Sequence, residues 1–434
     1  MIMYDMIVLL RLKLFSGLQL SQKTRTEGEI FLNTIINEKF TMESSACYCV
    51  IDTVHDDDGT EKATLRIRAL PDKKLLFAYV PGDGLVTLNQ HTGAVDQENI
   101  LGKFAGIKSG DQKALVSFFN QYGFLFPISH ERLESFSFED LFAIQKRVSV
   151  TLDLMGMLQE TRVPYIKIMS AVCWLTLADR IEINPSDDGS EPFRTCAHSY
   201  TEFLHKQVQG QYDSLAVDPY VQNEIDVSDS IYPPTVKISL TGLENDALLV
   251  ESKTHPPFLS KYAATVVYTS EMGHMDSDRI VIDYFYHLAQ EMGEITSVGS
   301  EPSELRFAGI ERPLSEKLTP AMRKATLDVA KIIIKEEMDY AVNAIYPSYD
   351  TKTMSASWRI PDLYSALFFS IFYMRPETEL YRRCENPSCG VYFLVATTNS
   401  RRKYCSPACS NAMQQRKIRA RKKKASASDA DAEG

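Results

Sequence analysis

The chain has 434 residues, 44% of them hydrophobic and 24% charged, the composition of a globular protein with room for two or three domains. This excludes a fibrous or wholly disordered chain, and no run of about 18 uncharged apolar residues offers a membrane span. The formal charge of −10 hides an asymmetry: residues 382–424 carry twelve Lys/Arg and one acid (Glu385), a local +11, while residues 425–434 carry −3 and residues 1–381 carry −18. Segregation of this kind points one end of the chain toward a nucleic acid and leaves the rest acidic.

Residues 1–20 come closest to a membrane segment, but Asp5, Arg11 and Lys13 interrupt them. They also lack a basic leader and an A-x-A-like cleavage site, so neither a span nor a signal peptide is expected. Segments 47–54, 63–70 and 75–80 alternate as strands, and 56–60 (DDDGT) is turn chemistry, which predicts an antiparallel meander. Cys47 and Cys49 are assigned to opposite faces of the first strand and to core packing. A helix is expected over 111–122, ended by Gly123. Ser137, with Asp140 three residues later, should cap another reaching about Leu158. Residues 165–178 read as a buried helix. Past 184, Asp/Ser/Pro/Gly-rich loops suggest a boundary, with a strand over 235–240 and a helix over 280–292. Thr319-Pro320 is an N-cap followed by a first-position proline, placing Met322, Ala325, Val329, Ile332, Ile333 and Tyr340 on one stripe. Pro361 opens an apolar helix over 363–374, too short to cross a bilayer.

The expected fold is α+β: an N-terminal β meander with a largely helical body, then a small treble-clef-like zinc finger with a basic helix. The expected organisation is 1–183 as an N-terminal α+β region, 184–376 as a second α+β or helical region, 377–424 as finger and basic helix, and 425–434 (ASASDADAEG) as a disordered tail.

Four of the eight cysteines fall at Cys384, Cys389, Cys405 and Cys409, spaced C-x4-C, fifteen residues, C-x3-C. Two close pairs on a short connection let four thiolates converge on one tetrahedral Zn²⁺, and four cysteine ligands close the site, so the metal is structural. Asn386-Pro387-Ser388 permits a turn between the first pair, and 391–394 is strand-like. Ser406 and Pro407 are N-cap and first-turn residues of a helix that begins between the second pair. With four thiolates and one Zn²⁺ at −2, the finger region is nearer +9.

Arg401, Arg402 and Lys403 precede the second pair. Arg416, Lys417, Arg419 and Arg421, followed by Lys422–Lys424, extend the helix on all sides and leave no apolar face for docking on the body. Polyanion binding would relieve the i,i+4 repulsion between Lys417 and Arg421 and between Arg419 and Lys423, and would release counterions. A solvated basic tail is the competing account.

At these residues the chain resembles the bacterial CGNR-type zinc finger, found at the C-terminus of proteins with an ABATE domain. The matching residues are Cys384, Cys389, Phe393, Arg401, Arg402, Tyr404, Cys405, Ser406, Cys409 and Asn411. More weakly, 114–125 (ALVSFFNQYGFL) is similar to part of the N-terminal domain of such proteins. The signature here reads Cys409-Ser410-Asn411-Ala412, so its Gly and Arg are replaced. The resemblance implies a divergent member, a DNA-binding transcription regulator of the bacterial cytoplasm whose body senses a small-molecule or protein effector. RNA binding, or protein interaction without nucleic acid, are the alternatives. No P-loop, G-x-G-x-x-G, H-E-x-x-H or G-x-S-x-G motif occurs, so no enzyme is expected. Two polar clusters, His55 with Asp56–Asp58 and His274 with Asp276 and Asp278, read as solvated. Cys196, His198 and His205 lack metal spacing, and Cys173 reads as core.

Overall fold

The computed structural model describes residues 40–55, 61–89, 92, 94–95, 98–184, 191–198, 200–201, 224–225, 238–239, 276–293, 295–308, 318–351, 354–374, 379–396 and 402–430. The expectations for 1–20, the 56–60 turn, most of the 235–240 strand, Arg401, His205 and His274 lie outside these residues.

The architecture is α+β. A four-stranded antiparallel sheet opens it: β1 (Thr41–His55), β2 (Glu61–Val80), β3 (Gly84–Leu88) and β4 (Glu134–Ser137). β1 pairs along its whole length with β2, and β3 and β4 pair with β2 near its two ends. The sequence reads β2 as two strands, but it is one. Its register to β1 jumps from Ser45↔Lys74 to Ala46↔Leu70, so Pro71, Asp72 and Lys73 form a bulge. A proline, lacking an N–H, is tolerated at such a point, and its turn-like signal hid the continuity. Cys47 and Cys49 share one face, because residues two apart on a pleated strand point the same way. Both are buried, giving S–H to the Phe119 and Val116 carbonyls.

Those carbonyls belong to α2 (Gln112–Tyr122), which follows α1 (Ile100–Ala105). Asp111 caps α2 by accepting from Ala114 N–H at 3.0 Å. Ser137 likewise caps α3 (Phe138–Leu158), accepting from Glu139 N–H at 3.1 Å. Then come α4 (Tyr165–Leu177), α5 (Asp276–Met292) and α6 (Pro320–Val342), the last capped by Thr319 with Pro320 in its first turn. A hairpin of β5 (Tyr346–Asp350) and β6 (Ser355–Arg359) precedes α7 (Leu363–Tyr373). Asp362 caps α7, accepting from Ser365 N–H at 2.7 Å. A second hairpin, β7 (Glu379–Arg383) with β8 (Tyr392–Ala396), leads to α8 (Pro407–Ala430). α8 runs six residues into the segment expected to be disordered. Alanines at 425, 427 and 430 favour continuing a helix already begun.

The packing cuts across the boundary expected at 183/184. The first core joins the sheet, α1, α2, the start of α3 and all of α7; the second joins the end of α3 with α4, α5 and most of α6. Two long helices, α3 and α6, belong to both cores. Residues 363–371 of α7 are all buried, which is why the helix is apolar on every face, and it reaches solvent only at its end, where Phe372 is exposed.

Candidate metal centre and nucleic-acid interface

The first pair of thiols sits at the tip of the β7–β8 hairpin. Arg383 pairs with Tyr392 across the strands, and Cys384 N–H bonds the Val391 carbonyl at 2.9 Å, so the knuckle itself is the hairpin turn. Asn386 organises it. Its carbonyl accepts from Cys389 and Gly390 N–H, and its side-chain oxygen accepts from Ser388 N–H at 3.2 Å. Gly390, at φ 71°, turns the chain back into β8 in a region open to glycine.

The second pair flanks the start of α8, where Ser406 Oγ accepts from Cys409 N–H at 3.3 Å. All four sulfurs lie within 4.8 Å of one another. Cys389 and Cys405 are 3.6 Å apart, as are Cys405 and Cys409. Tetrahedral zinc with Zn–S bonds of about 2.3 Å needs sulfurs about 3.8 Å apart, so the cluster is already of the right size. The donor set is four thiols with no open position, which makes this a site for one structural zinc. The Asn386 amide, donating to Cys409 Sγ, together with Ser406 and the neighbouring thiols, brings that thiol down to about 7. Burial and crowding by sulfur push Cys405 up. A metal ion resolves the conflict by displacing the shared protons.

The finger is seated in the body. Tyr381 and Tyr392 are buried in the first core, and the Tyr381 hydroxyl accepts from the Asn99 amide at 3.0 Å. The Tyr392 hydroxyl donates to the Asp153 carboxylate on α3, whose pKa burial raises to about 6. β8 lies so close to α1 that a Cβ on Gly102 would stand 2.0 Å from the Tyr392 carbonyl oxygen. Gly102→Ala should therefore lift the hairpin off α1 at a cost of about 1–3 kcal/mol. Hydrogen exchange should then speed up across 379–396 before the rest of the first core. Unchanged protection there would disprove the seating.

The basic residues divide. Arg402 stacks over Phe393, with its guanidinium 5.0 Å from the ring centroid, and donates to the Tyr404 and Cys405 carbonyls. Lys403 pairs with Glu385 at 3.0 Å. Arg416 donates to Ser388 Oγ and, at 3.4 Å, to Asn386 Oδ1, tying α8 to the knuckle. These three hold the finger together. Lys417 and Arg419 are exposed and have no hydrogen bond or ion pair among the described residues, and Arg421 continues the same helix. Residues 414–420 are all exposed, so this stretch of α8 has no face against the body.

Sequence reasoning missed Asn386 as an organiser and Tyr381 and Tyr392 as anchors. It also missed a buried group in which Arg147 of α3 meets Glu337 of α6 beside Cys196 and His198. One signal was present: Glu337 falls four residues after Ile333, on the apolar stripe of α6.

No helix among the described residues is long and apolar enough to cross a membrane. No curated protein and no solved structure matches the chain. The family model of the CGNR zinc finger matches residues 381–422, the segment from Tyr381 through the four thiols into α8. The protein is therefore one that carries a CGNR zinc finger over those residues.

Proposed function

We propose that the protein is a non-enzymatic, cytoplasmic transcription regulator that binds duplex DNA through α8, with zinc fixing where that helix starts. The observation that carries this reading is the pairing of a tethered start with an unpaired continuation. Arg416 binds α8 to the zinc knuckle, and beyond it Lys417 and Arg419 are exposed. A helix aimed in this way presents charge to phosphates without spending it on the body. The acidic body repels the same phosphates, which leaves the finger as the attractive face. An effector, a small molecule or a protein, would act on the body, because the finger's hairpin is seated in its core.

Changing Lys417, Arg419 and Arg421 together to alanine should flatten the dependence of DNA affinity on salt. Three lost phosphate contacts lower the log–log slope by about 2.7, at roughly 0.9 each. Arg416 is left intact because its loss would loosen the knuckle. Fluorescence anisotropy on a duplex across a salt series measures this, and an unchanged slope rules α8 out as the binding element. Structured RNA competing better than duplex DNA would favour RNA as the target. Partner binding insensitive to added nucleic acid would favour a protein-interaction module.

A further inference from the structure

Away from the finger, the loop after Phe193 and Arg194 carries Cys196 and His198 to the junction of the two cores, where Glu337 of α6 meets them. We propose that Cys196, His198 and Glu337 form a second metal site, for a divalent ion of the zinc type. Their ligand atoms lie within 4.8 Å of one another, and all three residues are buried. A thiolate, an imidazole and a carboxylate together make a donor set that zinc accepts.

The surroundings are those of held ligands. His198 engages Glu336 through Nδ1, which fixes the ring and leaves Nε2, 3.0 Å from Glu337 Oε1, to face an ion. A carboxylate behind a metal-binding histidine is the usual support for such a ligand. Arg147 Nε donates to Glu337 Oε1 at 2.6 Å and holds that carboxylate from the other side. Two atoms at this point have no hydrogen-bond partner among the described residues: Glu337 Oε2 and the Tyr364 hydroxyl, both shielded from solvent. Tyr364 lies within electrostatic reach of Glu337, Arg147 and Cys196.

The competing account is a closed ion-pair network, with Arg147 and His198 set against Glu336 and Glu337. It satisfies the charges but leaves Glu337 Oε2 and the tyrosine hydroxyl unmet, which buried oxygens seldom are. An ion in place of the Nε2–H and S–H protons meets the carboxylate. It also keeps the cluster neutral, since a divalent cation replaces two protons.

The test is metal content and ligand identity in the full-length protein, loaded with zinc and then dialysed. Mass spectrometry should find two zinc equivalents per chain. X-ray absorption should find between two and three sulfurs per zinc, the average of one four-thiol site and one single-thiol site. Cys196→Ser should lose one equivalent and raise the average to four sulfurs. Cys405→Ser should lose the other equivalent and leave a sulfur-poor site. One equivalent in the wild type with four sulfurs overturns the proposal, whether or not the variants fold. So does a Cys196→Ser protein that keeps both equivalents.

Discussion

Cys405→Ser is expected to lose one zinc equivalent and to unfold the finger beyond its hairpin. The energy at stake is large, because structural zinc in comparable small modules supplies about 10–16 kcal/mol of apparent folding free energy. Besides the metal, among the described residues, the finger has the exposed contacts of Arg402, Lys403 and Arg416 and a small apolar cluster. The finger's own buried apolar cluster is Cys384, Phe393 and Val395, and two of the residues packed against it are themselves ligands of the second pair, Cys405 and Cys409. A serine hydroxyl does not replace the thiolate, and three remaining sulfurs bind far more weakly. Without the metal, α8 becomes an isolated helix with like charges at i,i+4, each pair costing about 0.2–0.5 kcal/mol. The far-UV helix signal should fall, trypsin should cleave within 402–424, and DNA binding should disappear. The body should keep its cooperative melting, since Tyr381 and Tyr392 are seated in the first core independently of zinc. A variant with full zinc content and a protected α8 would show that the four thiols are not the site.

The parts of this molecule that were legible in the sequence are those whose signal is local. The zinc ligands follow from spacing within 26 residues, Cys384 to Cys409, and the caps of α3 and α6 from single residues beside apolar periods. What stayed hidden depends on partners far apart in the chain. Arg147 and Glu337 are 190 positions apart, and Tyr381 meets Asn99 across 282. The basic residues looked equivalent as a composition, and only the fold separates Arg402, Lys403 and Arg416, used within the finger, from Lys417 and Arg419. The boundary at 183/184 was drawn where loop-forming residues cluster. A core, however, is assembled by contact rather than by order, and α7 returns to the sheet after some two hundred intervening residues.

Arg147→Met should be among the most destabilising single changes in the body. Arg147 is 2% exposed and Glu337 0% exposed, and α3 and α6, which carry them, span both cores. Besides Glu337, the guanidinium donates to the Leu175 carbonyl at 3.2 Å and the Cys196 carbonyl at 2.9 Å, so one side chain ties α3 to α4, α6 and the Cys196 loop. Methionine fills most of the volume but leaves the Glu337 carboxylate facing only His198, and leaves two carbonyls unmet. Removing one partner of a buried pair costs about 3–5 kcal/mol, a large share of the roughly 5–15 kcal/mol that hold a domain. Urea titration with chelator present isolates this term from any metal at Cys196 and His198. Converting both residues, Arg147→Met with Glu337→Met, should recover much of the loss, because no charge is then stranded. Lys335→Met is the control: its partner Asp339 is on the same helix, both side chains are more than 60% exposed, and the change should stay within about 0.5 kcal/mol. A loss below about 1 kcal/mol for Arg147→Met would mean that α3 and α6 are held together by their apolar faces alone, with the ion pair contributing nothing that packing does not already supply.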